Sequence, residues 1–286
     1  MKVLVTGAKG QLGFDVVNEL NKRGYDSVGL DIEDMDITDK ASVYSVIKSV
    51  NPDAVIHCAA WTAVDDAEDY DNRKKVWSIN VDGTKNIAEV CHDIDCKMLY
   101  ISTDYVFEGT GIFPWKTDSE KLYPLNYYGE SKLEGENVVK DLLDKYFIVR
   151  TAWVFGSNGH NFVKTMLKLS DTHDTLRVID DQFGTPTYTY DLARLLVDMI
   201  ETEKYGIYHA TNEGGFITWY NFACYIFRFA KRDVEVIPVT SLEYGYSKAL
   251  RPHNSRLDKS KLRENGFTPL PDWDDALERY IKEILE

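Results

Sequence analysis

Two side chains of this sequence have the types and the spacing to move a proton: Tyr128 and Lys132, within the segment Tyr-Gly-Glu-Ser-Lys. Residues four apart on a helix lie on one face, so the two side chains come within reach of each other. A free tyrosine keeps its proton up to a pKa of about 10, but a neighbouring ammonium group favours the phenolate and brings proton transfer toward neutral pH. The pair therefore predicts an acid catalyst, with a solvated helix face as the alternative.

A glycine-rich loop near the N-terminus indicates which ligand would lie beside this acid. Gly7, Gly10 and Gly13 follow a strand-like apolar run at residues 2–6 and precede helical periodicity at residues 14–20. The order strand, glycine turn and helix is typical of dinucleotide-binding loops. In such loops the glycines let the backbone approach a pyrophosphate, and the first amides of the helix meet its charge.

Asp31 follows the next predicted strand, at residues 27–30. In dinucleotide-binding proteins an acidic side chain at this point accepts hydrogen bonds from the ribose hydroxyls of adenosine. An ordinary loop carboxylate is the alternative, and the glycine loop before it favours the ribose role.

Composition limits the classes of partner. The chain has 286 residues, of which 44% are hydrophobic and 28% charged, and a formal net charge of −14 at pH 7. These values are typical of a globular protein with one or two interlocked lobes, and the acidic balance argues against a nucleic-acid partner. No signal-peptide pattern and no 18-residue apolar run occur, so we expect a cytoplasmic protein without a membrane partner. The four cysteines show no C-x-x-C spacing and are expected to be reduced.

Strand and helix patterns alternate along the first half of the chain, which is typical of a doubly wound parallel sheet with helices on both faces. We therefore predict an α/β fold with a Rossmann-type domain at residues 1–155, which a strand near 206–210 rejoins, and a smaller C-terminal lobe at residues 156–286 that mainly binds substrate. The predicted elements include strands at 54–60, 97–102 and 147–151 and helices at 72–92 and 126–143.

These residues resemble a known family, the extended short-chain dehydrogenases/reductases, and within it the dTDP-4-dehydrorhamnose reductases. The matching residues occur in order from position 7 to position 257, so the resemblance covers nearly the whole chain. Besides the glycine loop, the matching blocks are residues 10–13, 102–107, 128–136, 150–154, 181–187 and 251–257.

The resemblance implies reduction of the C4 ketone of dTDP-4-dehydro-L-rhamnose to dTDP-L-rhamnose by hydride from NADH or NADPH. The carbonyl oxygen would become an alkoxide that needs a proton, which Tyr128 would donate. Lys132 would lower the tyrosine pKa and hold the nicotinamide ribose, and Thr103 would hydrogen-bond the same oxygen. Tyr127 is a rival for the acid, but it stands five residues from Lys132 and off the shared face.

The family also implies two sets of ligand contacts. In the substrate set, Trp153 and Tyr105 would line the sugar site, with a core position as the alternative for Trp153. Arg251 and Asn254 would meet the diphosphate, or else bond local loop carbonyls. Cofactor contacts are expected at Gly7, Gly10, Gln11, Leu12, Gly13, Asp31, Asp36, Ile37, Ala59, Ala60, Trp61, Tyr128 and Lys132, and substrate contacts at Thr103, Asp104, Tyr105, Trp153, Arg251 and Asn254.

The preferred dinucleotide and the oligomeric state stay open at this point. Asp31 would repel a 2′-phosphate and so favour NADH. Members of the family accept both nicotinamides, and Lys9 or Lys40 could soften the repulsion, so either NADH or NADPH is expected. Some relatives dimerise around a magnesium ion held by acidic side chains, and Asp15 could take part in such a site. A bound magnesium ion is a further alternative, and both a monomer and a homodimer are compatible with the sequence.

Three other functions compete with reduction. Nucleotide-sugar 4,6-dehydratases resemble the chain but carry Asp-Glu after the strand-end threonine, whereas here Asp104 is followed by Tyr105. A nucleotide-sugar epimerase needs no such pair, although Trp153 and the block at 182–185 argue against it. A non-catalytic binding subunit, like the regulatory subunit of methionine adenosyltransferase, could retain all three catalytic residues.

Overall fold

Six parallel strands form the central sheet in the computed structural model, which describes residues 1–245 and 247–286. The strands of the chain are β1 (Lys2–Thr6), β2 (Asp26–Leu30), β3 (Ala54–His57), β4 (Lys97–Thr103), β5 (Tyr146–Thr151), β6 (Val154–Phe155), β7 (Thr175–Ile179), β8 (Phe183–Gly184), β9 (Thr187–Tyr188), β10 (Gly206–His209), β11 (Ile217–Thr218) and β12 (Glu235–Val239). The central sheet has the order β10-β5-β4-β3-β1-β2, so the strand near residue 206 pairs with β5.

Helices alternate with these strands. They are α1 (Gln11–Lys22), α2 (Lys40–Val50), α3 (Tyr70–Trp77), α4 (Thr84–Asp93), α5 (Tyr127–Leu142), α6 (Phe162–Ser170), α7 (Thr189–Ile200), α8 (Trp219–Ala230), α9 (Ser241–Tyr244), α10 (Ser260–Glu264) and α11 (Trp273–Leu285). A π-helix at Ser78–Gly83 joins α3 to α4. Among the described residues, none of the helices has both the length and the hydropathy needed to cross a membrane.

The central sheet is buried on both faces because its strands alternate their apolar side chains between two cores. Val3 and Val5 of β1 point to a core that α1 and α7 cover, whereas Leu4 points to a core that α2, α4 and α5 cover. Side chains at all three positions are fully buried. The predicted doubly wound parallel sheet is therefore confirmed.

The strand order decides where ligands can bind. The chain goes from β1 to β2 on one side and then crosses to β3 on the other side of β1. In open α/β sheets, ligands bind at such a reversal, outside the carboxyl ends of the strands. Register pairs Thr6 with His57 and Thr103 with Thr151 at this edge, so the site is expected there.

A second core forms the smaller lobe. The helices α6, α8 and α11 pack around aromatic side chains, among them Phe155, Phe222, Trp273 and Tyr280. The strands β7 and β12 pair in parallel at its side. Between them, the segments of α7 and β10 return to the central sheet, so the second half of the chain contributes to both lobes.

The prediction of a single helix at residues 72–92 is wrong in one respect, because the π-helix that includes Asn80 interrupts the α-helix. The Asn80 side chain accepts a hydrogen bond from Trp61 N at 2.8 Å and donates one to Ser131 Oγ at 2.9 Å. The hydroxyl of Thr84 donates to Asn80 O at 2.7 Å. A π-helix adds one residue to the turn, and here the wider turn directs the Asn80 amide toward α5.

Gly135 of α5 should be essential to this packing. A Cβ at this position would overlap the Tyr100 hydroxyl and lie 2.9 Å from Asn80 O. We predict that Gly135→Ala lowers the free energy of unfolding by about 1–3 kcal/mol, because the helix must move outward. Tyr100→Phe removes the nearest clashing atom and should restore part of the loss. Denaturation of both single variants and the double variant tests this, and strictly additive losses would contradict it.

Candidate active site

The helix α5 begins at the carboxyl edge of the central sheet. Asn126 caps it, since its Oδ1 accepts from Gly129 N and its Nδ2 donates to Leu250 O, each at 2.8 Å. A Cβ on Gly129 would overlap Tyr105 O, so the glycine lets the helix pass directly over the end of β4. Tyr128 consequently packs edge-on against Tyr105, with ring centroids 5.7 Å apart.

The pKa of Tyr128 differs from the sequence-based expectation. Burial raises it well above its usual range, the negative charge of Asp104 raises it further, and a hydrogen bond with Thr103 acts in the opposite direction. The expected lowering by Lys132 is wrong for the chain without its ligands, because burial and the charge of Asp104 set the direction of the shift. Tyr128 therefore carries its proton at neutral pH, which is the form a proton donor needs.

Lys132 lies in an unusual place for an ammonium group. Its side chain is buried, and its Nζ stands 4.0 Å from the centroid of the Tyr100 ring, where a cation is attracted to the π face. Burial lowers the Lys132 pKa to about 7, and the negative charge of Glu136 opposes that shift. Lys132 therefore gains or loses its charge near neutral pH.

Thr103 and Asp104 complete the group at the end of β4. The Thr103 hydroxyl donates to Asp104 Oδ1 at 3.1 Å and accepts from Tyr105 N at 3.2 Å. Asp104 is only 3% exposed, and its Oδ2 has no hydrogen-bond partner among the described residues. Burial raises the Asp104 pKa to about 6. The sequence-predicted residues Thr103, Asp104, Tyr105 and Tyr128 thus form one group, in which Thr103 and Asp104 are buried and the two tyrosines are half-buried.

A cavity of about 420 Å³ opens beside the glycine loop, where the strand order reverses. Gly7 has a φ of 65°, and a Cβ on it would lie 2.7 Å from Ala59 N. No described side chain caps α1, so its first amides can meet an anion. The shape and the amides fit a dinucleotide. Seven predicted cofactor contacts line the cavity: Gly7, Gly10, Asp31, Asp36, Ile37, Ala59 and Ala60.

Asp31 occupies the mouth of this cavity. Its Oδ2 accepts from Lys9 N at 2.9 Å, which links β2 to the glycine loop. The Lys9 ammonium pairs with Glu33 at 2.9 Å, and Lys40 pairs with Glu89 at 2.5 Å in a different groove. Of Lys9 and Lys40, Lys9 alone lines the cavity, and its charge is already paired with Glu33.

Four other predicted cofactor contacts lie beside the cavity and support it. Gln11 accepts from Asn161 Nδ2 at 3.0 Å, which ties the start of α1 to the smaller lobe. Leu12 packs against the core between α1 and α7. Trp61 is held by Asn80 through its backbone, and Gly13 is required because a Cβ there would overlap the glycine loop.

A larger cavity of about 800 Å³ lies between the two lobes and includes Tyr105 in its lining. Trp219 lines it too, and Trp153 stacks behind Trp219 with ring centroids 3.7 Å apart. Trp153 has a φ of 50°, which is uncommon for a residue with a side chain. Gly184 makes room for its indole, since a Cβ there would lie 2.7 Å from Trp153 Cε2. The aromatic wall of this cavity is therefore the stacked pair of Trp219 and Trp153, with Trp219 on the cavity side.

Arg251 and Asn254 have different positions relative to the interlobe cavity. Arg251 lines it and pairs with Asp65 through two contacts of 3.2 and 2.5 Å, and this pairing lowers the Asp65 pKa to about 2. Asn254 is 1% exposed and donates to the carbonyls of Thr110 and Phe113 at 3.1 and 2.9 Å. The prediction of Asn254 as a diphosphate contact is corrected to its alternative, a loop residue that bonds local carbonyls.

Sequence reasoning missed several residues of the site. Asn80 lies inside a helical pattern, and nothing local marks it as the link between the Trp61 loop and α5. Trp219 lies at the start of an aromatic-rich amphipathic helix, where a core position is the obvious interpretation. Asp65 follows β3 in a loop, and its pairing with Arg251 joins positions 186 residues apart. The fold alone brings these residues together.

Magnesium finds no support in the described residues, where no group of three or more His, Cys, Asp or Glu side chains could hold a metal ion. Asp15 is 7% exposed and accepts a hydrogen bond from the Thr189 hydroxyl. Burial raises the Asp15 pKa.

The glycine loop at β1, the Tyr-Lys pair on α5 and the threonine at the end of β4 together define an oxidoreductase of the extended short-chain dehydrogenase/reductase class.

Known proteins agree with this class and narrow it. The family model for the RmlD substrate binding domain matches residues 1–286. The dTDP-4-dehydrorhamnose reductase of Aggregatibacter actinomycetemcomitans is 40% identical over 289 residues, covering 96% of this chain and 97% of that protein. The dTDP-4-keto-6-deoxy-D-glucose reductase of Streptomyces niveus is 38% identical over 278 residues, covering 96% of this chain and 94% of that protein.

The crystal structure of dTDP-4-dehydrorhamnose reductase from Bacillus anthracis, in complex with NADP, matches with a TM-score of 0.94, 42% identity and 99% coverage of both chains. The chain therefore belongs to the RmlD family, and its resemblance to the dTDP-4-dehydrorhamnose reductases is confirmed.

The buried Asp104 should make the folded chain less stable at alkaline pH. Its folded pKa of about 6 lies above the usual value, so the stability that its protonated form contributes is present below about pH 4 and lost as pH rises through 6. We predict that Asp104→Asn raises the free energy of unfolding by about 3 kcal/mol at pH 8 and by much less at pH 4.5. Denaturant unfolding at both pH values measures this, with the exposed Asp118→Asn as the control. An equal gain at both pH values would contradict it.

Proposed function

We propose that the chain reduces the C4 ketone of dTDP-4-dehydro-L-rhamnose to dTDP-L-rhamnose, with NADH or NADPH as the reductant. The observation that carries this is the position of Tyr128 and Lys132 between two cavities, the dinucleotide cavity beside the glycine loop and the interlobe cavity. Lys132 lies close enough to Cys58, which lines the dinucleotide cavity, for the two to interact electrostatically. Tyr128 packs on Tyr105, which lines the interlobe cavity. A dinucleotide and a second ligand would thus meet at the phenol.

Each residue of the site has a different role in transferring the proton. The bound dinucleotide supplies a hydride to the carbonyl carbon. Tyr128 donates its phenolic proton to the carbonyl oxygen as negative charge develops there. The Thr103 hydroxyl hydrogen-bonds the same oxygen, and the Lys132 ammonium stabilises the phenolate that remains. Burial and Asp104 both disfavour that phenolate and the Thr103 hydrogen bond favours it, so the Lys132 ammonium would add a positive charge on the same helix face.

The interlobe cavity has the chemistry that a nucleotide sugar needs. Its apolar side includes Trp219, Phe162 and Met166, which suit the flat faces of a base or a pyranose. Its polar side includes Arg177 and Arg251, whose guanidinium groups match phosphate oxygens. Arg251 is paired with Asp65 in the ligand-free chain, so a diphosphate would compete with that carboxylate.

The relatives supply the substrate class and leave one choice between two sugars. Curated relatives are named as reductases of dTDP-4-dehydrorhamnose, and the Streptomyces niveus relative as a reductase of dTDP-4-keto-6-deoxy-D-glucose. Both compounds are dTDP-linked 4-keto sugars. We favour dTDP-4-dehydro-L-rhamnose because the Bacillus anthracis relative carries that name at 42% identity. A monomeric or homodimeric state and a cytoplasmic location stay predictions.

Tyr128→Phe should lower turnover of dTDP-4-dehydro-L-rhamnose by about a hundredfold to ten-thousandfold, since a general acid contributes that much. Binding of reduced nicotinamide, followed by its fluorescence, should change little. The matched control is Tyr127→Phe, because that ring faces Arg73 at 5.0 Å and lies off the Tyr128 face. Full turnover in Tyr128→Phe would contradict its role as the acid. Turnover by the native chain of dTDP-4-keto-6-deoxy-D-glucose alone would replace the proposed substrate.

Asp31 should set the preference between the two dinucleotides. We predict that Asp31→Asn raises the ratio of kcat/KM for NADPH over NADH by about tenfold, because one negative charge near the 2′-phosphate is removed. Asparagine keeps an oxygen that can accept from Lys9 N. The matched control is Asp26→Asn, which removes the same charge at the opposite end of β2. Initial rates with both dinucleotides measure the ratio, and an equal change in both variants would contradict the prediction.

A further inference from the structure

A third titratable side chain continues the catalytic face of α5. Tyr128, Lys132 and Glu136 follow one another at intervals of four residues, so they lie along one side of the helix. Lys132 and Glu136 are 3% and 0% exposed. A carboxylate without access to solvent needs a full set of partners, or it becomes protonated.

Glu136 has such partners. Ser102 Oγ donates to its Oε1 at 2.6 Å, and Arg150 donates from Nε to Oε1 at 2.8 Å and from Nη2 to Oε2 at 2.7 Å. Arg150 is 1% exposed, and its guanidinium lies 5.0 Å from the Phe107 ring centroid. A bidentate pair of this kind fixes the carboxylate in position.

The surroundings of Lys132 contain few other charges. From β3 and the residue after it, His57 and Cys58 face Lys132, and burial lowers the pKa of His57 to about 3 and raises that of Cys58 to about 12. From β4, Tyr100 faces it and stays protonated because burial raises its pKa. These groups are neutral near pH 7, as is Tyr128. Among the described groups, Glu136 has the largest effect in favour of the ammonium form of Lys132, Cys58 follows it, and the Arg150 guanidinium bonded to Glu136 is the nearby cation.

We propose that Glu136 is a positioning residue of the reductase, whose carboxylate, held by Arg150 and Ser102, favours the charged form of Lys132. This inference rests on the proposed function for its catalytic consequence. Without the carboxylate, Lys132 loses its proton at lower pH, and the phenolate left on Tyr128 loses its stabilising charge. The effect on catalysis is therefore a change in pH dependence rather than a loss of binding.

The test measures Lys132 directly in the chain without ligands. Protein labelled with ¹³C-lysine is titrated by NMR, and the Lys132 Cε signal is assigned by its loss in Lys132→Met. In Glu136→Gln the midpoint of Lys132 should fall by roughly one pH unit or more. The alkaline limb of the kcat/KM profile for dTDP-4-dehydro-L-rhamnose should move down by the same amount, while the rate at low pH is retained.

Two further variants separate this role from a structural one. Glu134→Gln, on the same helix but outside the buried network, should leave the midpoint and the profile unchanged. Glu136→Gln leaves Arg150 buried without a partner, so the double variant Glu136→Gln/Arg150→Met provides a chain without that uncompensated charge. It too should show the lowered midpoint.

An unchanged Lys132 midpoint in either folded variant would overturn the inference. Conversely, a lowered midpoint in a chain that turns over no 4-keto sugar would refute the proposed function, while supporting the electrostatic link between Glu136 and Lys132. The two failures are therefore distinguishable.

Discussion

The close packing of α5 against the carboxyl edge of the central sheet is the constraint on which the site depends. Glycine stands where the helix comes nearest to other atoms, at Gly129 over Tyr105 O and at Gly135 over the Tyr100 hydroxyl. Because no side chain separates helix from sheet, Lys132 is withdrawn from water and Tyr128 is partly withdrawn. Burial then raises the pKa of the phenol and lowers that of the ammonium group, so the chemistry of the site follows from its packing.

The two cavities take their places from the same helix and sheet edge. The dinucleotide cavity lies at the reversal of strand order, and the interlobe cavity lies where the smaller lobe covers the end of β4. The smaller lobe is tied to this edge by Trp153, whose left-handed backbone costs about 1–3 kcal/mol and is held by stacking on Trp219. Proton donor, dinucleotide and sugar are thus brought together by elements from both halves of the chain.

Much of this was predictable from local patterns. The parallel sheet follows from alternating strands and helices, and the glycine loop and the Tyr-Lys pair are marked by their spacing. Contacts between distant segments were not predictable, because no local pattern records them: Asp65 with Arg251, Asn80 with Trp61 and Ser131, and Glu136 with Arg150. The direction of the Tyr128 pKa shift was wrong for a related reason, since the depth of burial is a property of the whole fold.

The most direct test of the central claim follows a deuterium atom from the dinucleotide to the sugar. NADPH carrying deuterium at the transferable C4 position is incubated with the chain and dTDP-4-dehydro-L-rhamnose, and the product is examined by NMR. Hydride transfer to the ketone predicts dTDP-L-rhamnose with one deuterium at the sugar C4 and one oxidised dinucleotide for each product formed. A product without deuterium at C4, or a sugar of changed configuration without net oxidation of NADPH, would contradict reduction at this carbon.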